Sequence, residues 1–361
     1  MVIYYIVIIL SCFFVFLGSK IKNCFARLLF NVSAVLIPSL IAGYRDTTVG
    51  MDLAYYAIPC FDSMCYTHDI KLVMLYVGES GLEPLYVLYN YLITRFTNDI
   101  FWALYLQQIF VLGIVLLLCY KLKEHISVYV VYSVFMLLCY TESMSANRQY
   151  FALGLALFSF YYVVTKKIIP FLITITFAIL FHYSAVMVLP VYWVYNYGSK
   201  YGIRKIHLYF VAILGLICFI CFPIIIRALI DIGLMATKYE RYLDDTFKVH
   251  SINIVILFCL FFLLSLFGKK TIQVNLVKLL LILVFFMYMC GVYNDVATRV
   301  AWYYLLFAAL LMVKIFKQQT NRVLPINIVL ILFSIQFIYL SIVTTFADAI
   351  PYTSKELKIS K

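Results

Sequence analysis

Apolar runs long enough to cross a lipid bilayer recur from one end of this chain to the other, and they decide its solvent before any motif is considered. With 66% of 361 residues hydrophobic, 12% charged and a mean hydropathy of +1.02, the chain has too little polar side chain to cover a water-soluble globule. The runs are roughly 15 to 25 residues long, which suits membrane helices; barrel strands would show about ten residues of strict alternation. The expected fold is therefore all-α, a polytopic integral membrane protein with about 12 transmembrane helices. The expected spans are 2–17, 28–43, 100–120, 126–141, 148–164, 168–181, 184–198, 206–230, 251–267, 272–292, 298–313 and 323–346. No repeat, glycine-rich linker or low-complexity segment divides them, so residues 1–361 read as one transmembrane domain with a long loop at 44–99 and a second at 231–250.

Charge sets the orientation. One alternating set of connections holds Lys20, Lys22, Arg27, Lys121, Lys123, Lys166, Lys167, Lys200, Arg204, Lys205, Lys269, Lys270, Lys314, Lys317 and Arg322, with Glu124 as its one acid. The positive-inside rule makes that set cytoplasmic. The acids from Asp46 and Asp52 to Asp295 fall on the other side, so both termini are expected to face outward. The net charge of +12 is then an orientation device rather than a nucleic-acid footprint. The first run lacks a basic leader and a small-residue cleavage site and reads as a retained span.

Most cysteines sit inside apolar runs and read as small hydrophobes. Cys60 and Cys65 lie in the long outward loop, where their spacing permits a disulfide. Cys218 and Cys221 have no second ligand pair, and no metal site or cofactor is expected. In the same loop, tyrosines beside leucines suggest short helices along the outer interface, one of them starting at Glu83-Pro84.

Five polar islands interrupt the apolar chain, all on the outward side: 44–52, 142–149, His182, 238–242 and Arg299. Arginine and carboxylate at membrane depth are costly and mark sites that handle charge. In the first island Gly50 allows the backbone to fold back, presenting Arg45 with Asp46 and Asp52. Arg148 stands at the start of a span, where helix N–H groups already favour an anion. Between Lys167 and Lys200 the chain must rise and return within roughly 30 residues, which is too short for two full crossings of a hydrocarbon core about 30 Å thick. The turn at His182 is therefore expected below the outer surface, at the floor of a pocket. Bland readings stand beside these: Arg45 could snorkel, Lys238 to Asp245 could be a solvated helix with Arg241 and Asp245 paired, and Trp302, Tyr303 and Tyr304 could be only an aromatic belt.

Arginines over an apolar groove suit glycosyl transfer from a lipid diphosphate sugar. Cleavage at the anomeric carbon leaves charge on the diphosphate, which guanidinium groups stabilise without a metal. The acceptor hydroxyl needs a base, and Asp52, Glu142 and His182 are the candidates. Arg45, Arg148, Arg241 and Arg299 are candidates for diphosphate, and Gln149, Tyr55, Tyr239 and Tyr303 for sugar.

The order Arg45, Gly50, Asp52, Tyr55, then Glu142-Ser143 to Arg148-Gln149, then Phe181-His182-Tyr183-Ser184, resembles the EpsG-type branch of the Wzy O-antigen and exopolysaccharide polymerases over roughly residues 40 to 310. The resemblance implies a GT-C-like bacterial inner-membrane glycosyltransferase with a periplasmic active site. It would join undecaprenyl-diphosphate-linked oligosaccharide repeat units into O-antigen, capsule or exopolysaccharide by inverting transfer, beside a chain-length regulator and a repeat-unit flippase as candidate partners. What carries over from the family is limited to Arg45, Gly50, Asp52, Glu142, Arg148, Gln149 and His182; Arg241 and Arg299 rest on the physical argument. In the expected mechanism Arg148 and Arg299 hold the donor diphosphate, Arg45 holds that of the acceptor, and Glu142 or His182 takes the proton. The runner-up is a lipid-linked oligosaccharide flippase, which would want charged groups reachable from both faces. An O-antigen ligase would want a larger late loop than 231–250, and a membrane acyltransferase a partner near His182.

Overall fold

The structure, a computed structural model, describes residues 1–232, 251–268, 272–293, 295–346 and 348–360. The described residues form helices joined by short turns, with no β-strand beyond an isolated bridge between Ser354 and Ile359. In chain order the helices are α1 (Val2–Lys20), α2 (Cys24–Gly43), α3 (Ile58–Tyr66), α4 (Ile70–Ser80), α5 (Pro84–Thr94), α6 (Ile100–Lys121), α7 (Val128–Ser143) and α8 (Asn147–Val164). They continue with α9 (Ile168–Phe181), α10 (Leu189–Tyr201), α11 (Lys205–Asp231), α12 (Ser251–Phe267), α13 (Ile272–Cys290), α14 (Asp295–Lys317) and α15 (Val323–Val343). A π-helical turn at Leu53–Ala57 leads into α3, and a 3-10 turn at Tyr183–Val188 leads into α10.

A helix stands at each of the twelve places expected to span. Seven are long and apolar enough to cross a membrane: α1, α2, α6, α11, α13, α14 and α15. The others fall short for two reasons. Helices α7, α9, α10 and α12 have 16, 14, 13 and 17 residues, and at 1.5 Å per residue 14 residues reach only about 21 Å. Helix α8 opens with Asn147, Arg148 and Gln149, which lowers its apolarity at one end.

Local sequence explains the breaks. Asn23, Asp69 and Asp99 accept the N–H groups of Ala26, Lys71 and Phe101 at 3.0, 2.8 and 2.9 Å and so start α2, α4 and α6. Gly81, at φ +65, ends α4 in the left-handed conformation, and Pro84 begins α5 at the expected position. Helix α9 stops where His182 turns to extended backbone.

The chain divides into two compact units, Met1–Leu189 with Phe333–Lys361, and Pro190–Leu332. In the first, α1 packs on α2 and α7, α6 on α2, α7 and α8, and α8 on α9. The loop helices fold onto this frame through an apolar cluster of Cys60, Met64, Val73, Leu82, Tyr86, Val87 and Phe151. Phe151 stacks on Phe181 at 4.5 Å between ring centroids and meets the edge of Tyr89 at 4.9 Å, tying α5 to α8 and α9. Cys60 and Cys65 are free thiols, not a disulfide. Both lie on α3, where five residues place them about 140° apart around the helix. In the second unit α13 packs on α11, α12 and α14, and the buried Lys314 donates to the Tyr195 hydroxyl at 3.1 Å.

Candidate functional site

Glu83 is the hub of the polar residues in the first unit. It ends the turn before α5, its carboxylate buried in the space between α5, α8 and α9. One oxygen, Oε2, takes Nη1 of Arg148 at 2.5 Å; the other, Oε1, meets Nδ1 of His182 at 2.7 Å. The backbone N–H of Tyr183 also points at Oε1, at 3.4 Å. Burial pushes the Glu83 carboxyl up, but the His182 hydrogen bond and the Arg148 charge outweigh it and hold the group below the usual carboxylate range.

Arg148 has a second support. Its guanidinium lies over the Tyr56 ring at 4.1 Å from the centroid. The Tyr56 hydroxyl donates to Oδ2 of Asp52, one helical turn earlier. Burial, and after it the neighbouring Asp52 charge, push the Tyr56 phenol well above its ordinary range, so it stays a donor. Asp52, Tyr56, Arg148, Glu83 and His182 thus form one continuous polar chain drawn from four separated segments.

Arg45 is buried rather than exposed on a rim. It is 7% exposed. Its Nη1 donates to the Ala42 carbonyl at 2.8 Å and its Nη2 to Oδ1 of Asn147 at 3.0 Å. Gln107 Nε2 approaches the Asn147 carbonyl at 3.2 Å and its Oδ1 at 3.3 Å. The guanidinium therefore staples the end of α2 to the first residue of α8. Gly50, at φ +96, brings its backbone against the carbonyl of Met144, and Met51 N–H donates to Ser145 Oγ at 3.0 Å. The folding-back expected of this glycine is what joins the first two islands.

The C-terminal segment closes the loop from the other side. Thr353 and Asp348 carbonyls accept the N–H groups of Asp46 and Gly50 at 3.0 and 2.9 Å, and Lys355 N–H donates to Asp46 Oδ1 at 3.0 Å. Tyr352 reaches the Ile41 carbonyl at 2.9 Å.

The other expected residues have these places in the fold. Glu142 is half-buried in the last turn of α7, its carbonyl accepting Ser145 and Ala146 N–H groups at 3.0 Å. Gln149 is buried in the first turn of α8. Tyr55 is 77% exposed and stands outside the polar chain, in which its neighbour Tyr56 takes part. Arg299, half-buried, and Tyr303, buried, lie on α14 in the second unit. Arg241 and Tyr239 lie outside the described residues. Among the described residues no group of three His, Cys, Asp or Glu is placed to hold a metal ion.

The sequence marks Glu83 only as a helix start, and its pairing with Arg148 and His182 is not legible there. Its partners are 65 and 99 residues away, and no spacing rule links them. One local signal existed: an acid directly before a proline at a helix start, whose side chain does not cap that helix.

The sequence model of the EpsG family matches residues 27–354. No curated protein and no solved structure matches the chain.

Proposed function

The chain belongs to the EpsG family, whose members are polysaccharide-polymerase-like membrane proteins, and from that premise we propose that it joins lipid-linked oligosaccharide repeat units by inverting glycosyl transfer. In this reading the carrier is undecaprenyl diphosphate, the membrane is the bacterial inner membrane, and the site faces the periplasm. The product is O-antigen or a capsular polysaccharide. One observation carries the proposal: Arg148 and His182 meet at Glu83, and Asp52 joins them through Tyr56, although the sequence scatters all of them.

The parts suit the chemistry. Transfer needs a cation where the leaving diphosphate gathers charge and a base near the acceptor hydroxyl. Arg148 commits Nη1 to Glu83 while its side chain stays 18% exposed, so in this reading the exposed part of its guanidinium meets a diphosphate oxygen. Arg45 remains the proposed ligand of the acceptor diphosphate, and its buried guanidinium also sets the loop through Asn147. Arg299 and Arg241 remain proposed diphosphate ligands, and Asp52, Glu142 and His182 the proposed bases. No metal has a part in this mechanism.

Polymer length on membranes carrying Arg148→Ala or His182→Ala, checked for expression, tests the reading. Single repeat units are expected from both. Full-length polymer from both variants removes these residues from the site. In reconstituted vesicles with one labelled repeat unit, polymer without net translocation is expected; translocation without polymer points to a flippase.

A further inference from the structure

We infer that Glu83 is the positioning residue that makes His182 the proton acceptor of the transfer, through the Nε2 atom of its ring. The inference rests on the polymerase reading above and names the base within it.

An ionised carboxylate can only accept hydrogen bonds. With Oε1 of Glu83 at 2.7 Å from Nδ1 of His182, the ring's proton must sit on Nδ1, and a neutral imidazole then carries its lone pair on Nε2. Among the described residues no hydrogen bond is made at Nε2, and the side chain is 22% exposed, so that nitrogen can meet a substrate hydroxyl. Glu83 itself cannot serve: its side chain is 3% exposed and both its oxygens are occupied. Its depressed pKa agrees with an ionised group in the resting protein.

The step balances without a further reactant. The acceptor hydroxyl gives its proton to His182 Nε2 as its oxygen bonds to the anomeric carbon. The bond from that carbon to the phosphate oxygen breaks, and its electron pair leaves on the lipid diphosphate. The imidazolium, stabilised by Glu83, afterwards returns the proton to water. Arg148 is held by the other oxygen of the same carboxylate, so one side chain sets the base and the neighbouring cation together.

Glu83→Gln separates positioning from mere packing because Arg148 has no acceptor of its own to offer. The amide oxygen must therefore face Arg148, which turns the amide N–H toward Nδ1 of His182. The ring then carries its proton on Nε2 and cannot act as base. The probe is the lipid-linked saccharide extract of source cells deleted for this chain, supplied to purified protein in vesicles.

With saturating extract, Glu83→Gln is expected to lose about 100- to 10,000-fold in rate while half-saturation changes little. Glu83→Asp, which still offers only acceptors, should keep more activity than Glu83→Gln. In a His182→Ala background, adding Glu83→Gln should cost far less than it costs in the wild type, since only the support of Arg148 is then weakened. A wild-type rate from Glu83→Gln, or losses that multiply in the double variant, overturns the inference. If Glu83→Gln does not accumulate, added imidazole is expected to restore rate to His182→Ala, and no restoration overturns it. Failure of the wild type to polymerise the extract sinks the polymerase reading instead.

Discussion

Gly50 and Met144 touch through their backbones: a Cβ built on Gly50 would run into the Met144 carbonyl, with the carbonyl carbon at 2.9 Å. This contact sets the first polar loop against the turn between α7 and α8. Gly50→Ala is expected to destabilise the protein by about 1–3 kcal/mol, from the left-handed backbone alone, with more from the clash. Thermal unfolding in detergent measures it, and an unchanged midpoint contradicts it.

Asn147 offers the reverse experiment. Arg45 is a buried cation whose side-chain partners are neutral, while Asn147 Nδ2 has no acceptor. Asn147→Asp keeps the oxygen that Arg45 and Gln107 use, supplies a counter-charge, and suits the start of α8; it should stabilise by about 1 kcal/mol. Asn147→Leu should cost about 1–3 kcal/mol. Equal midpoints for the two variants would refute this account.

Tyr56 contributes by its ring and by its hydroxyl, and the two are separable. Tyr56→Phe removes the bond to Asp52 and is expected to cost about 1 kcal/mol. Tyr56→Leu removes the ring under Arg148 as well, adding about 1–2 kcal/mol. Chemical unfolding of both variants gives the difference.

Glu83 predicts a pH dependence with a definite sign. Its folded pKa lies below the ordinary value of 4.5. The unfolded chain therefore takes up the proton first, and the stabilisation is full above that ordinary value and lost as pH falls through the lower, folded one. Wild type should melt above Glu83→Gln at neutral pH, and the gap should close in strong acid. A gap that widens on acidification would show the sign to be wrong.

Removing residues 344–361 deprives the Asp46 and Gly50 amides of their acceptors. Hydrogen exchange across 44–52 should quicken while that of α6 and α8 holds. Unchanged exchange at Asp46 and Gly50 would mean that the tail does not secure the loop.

The membrane helices were legible in the chain itself, because lipid demands long apolar runs with their backbone groups bonded internally. Period and composition located a helix at all twelve places, the start of α5 at Pro84, and the role of Gly50, since each depends on residues close together in sequence. Residue chemistry also singled out Arg148, Asp52 and His182 as costly to place in such a chain. Their meeting point was not legible. Glu83 joins residues 65 and 99 positions away only because Phe151, Phe181 and Tyr89 pack α5 against α8 and α9. Likewise an arginine at the end of a span reads as a rim cation until packing buries it, as with Arg45, and of two adjacent tyrosines only helix phase chose Tyr56 over Tyr55. Sequence alone determined the solvent, the helices and the suspect residues; tertiary structure decided their partners, because pairing across the bundle depends on which faces pack and not on spacing along the chain.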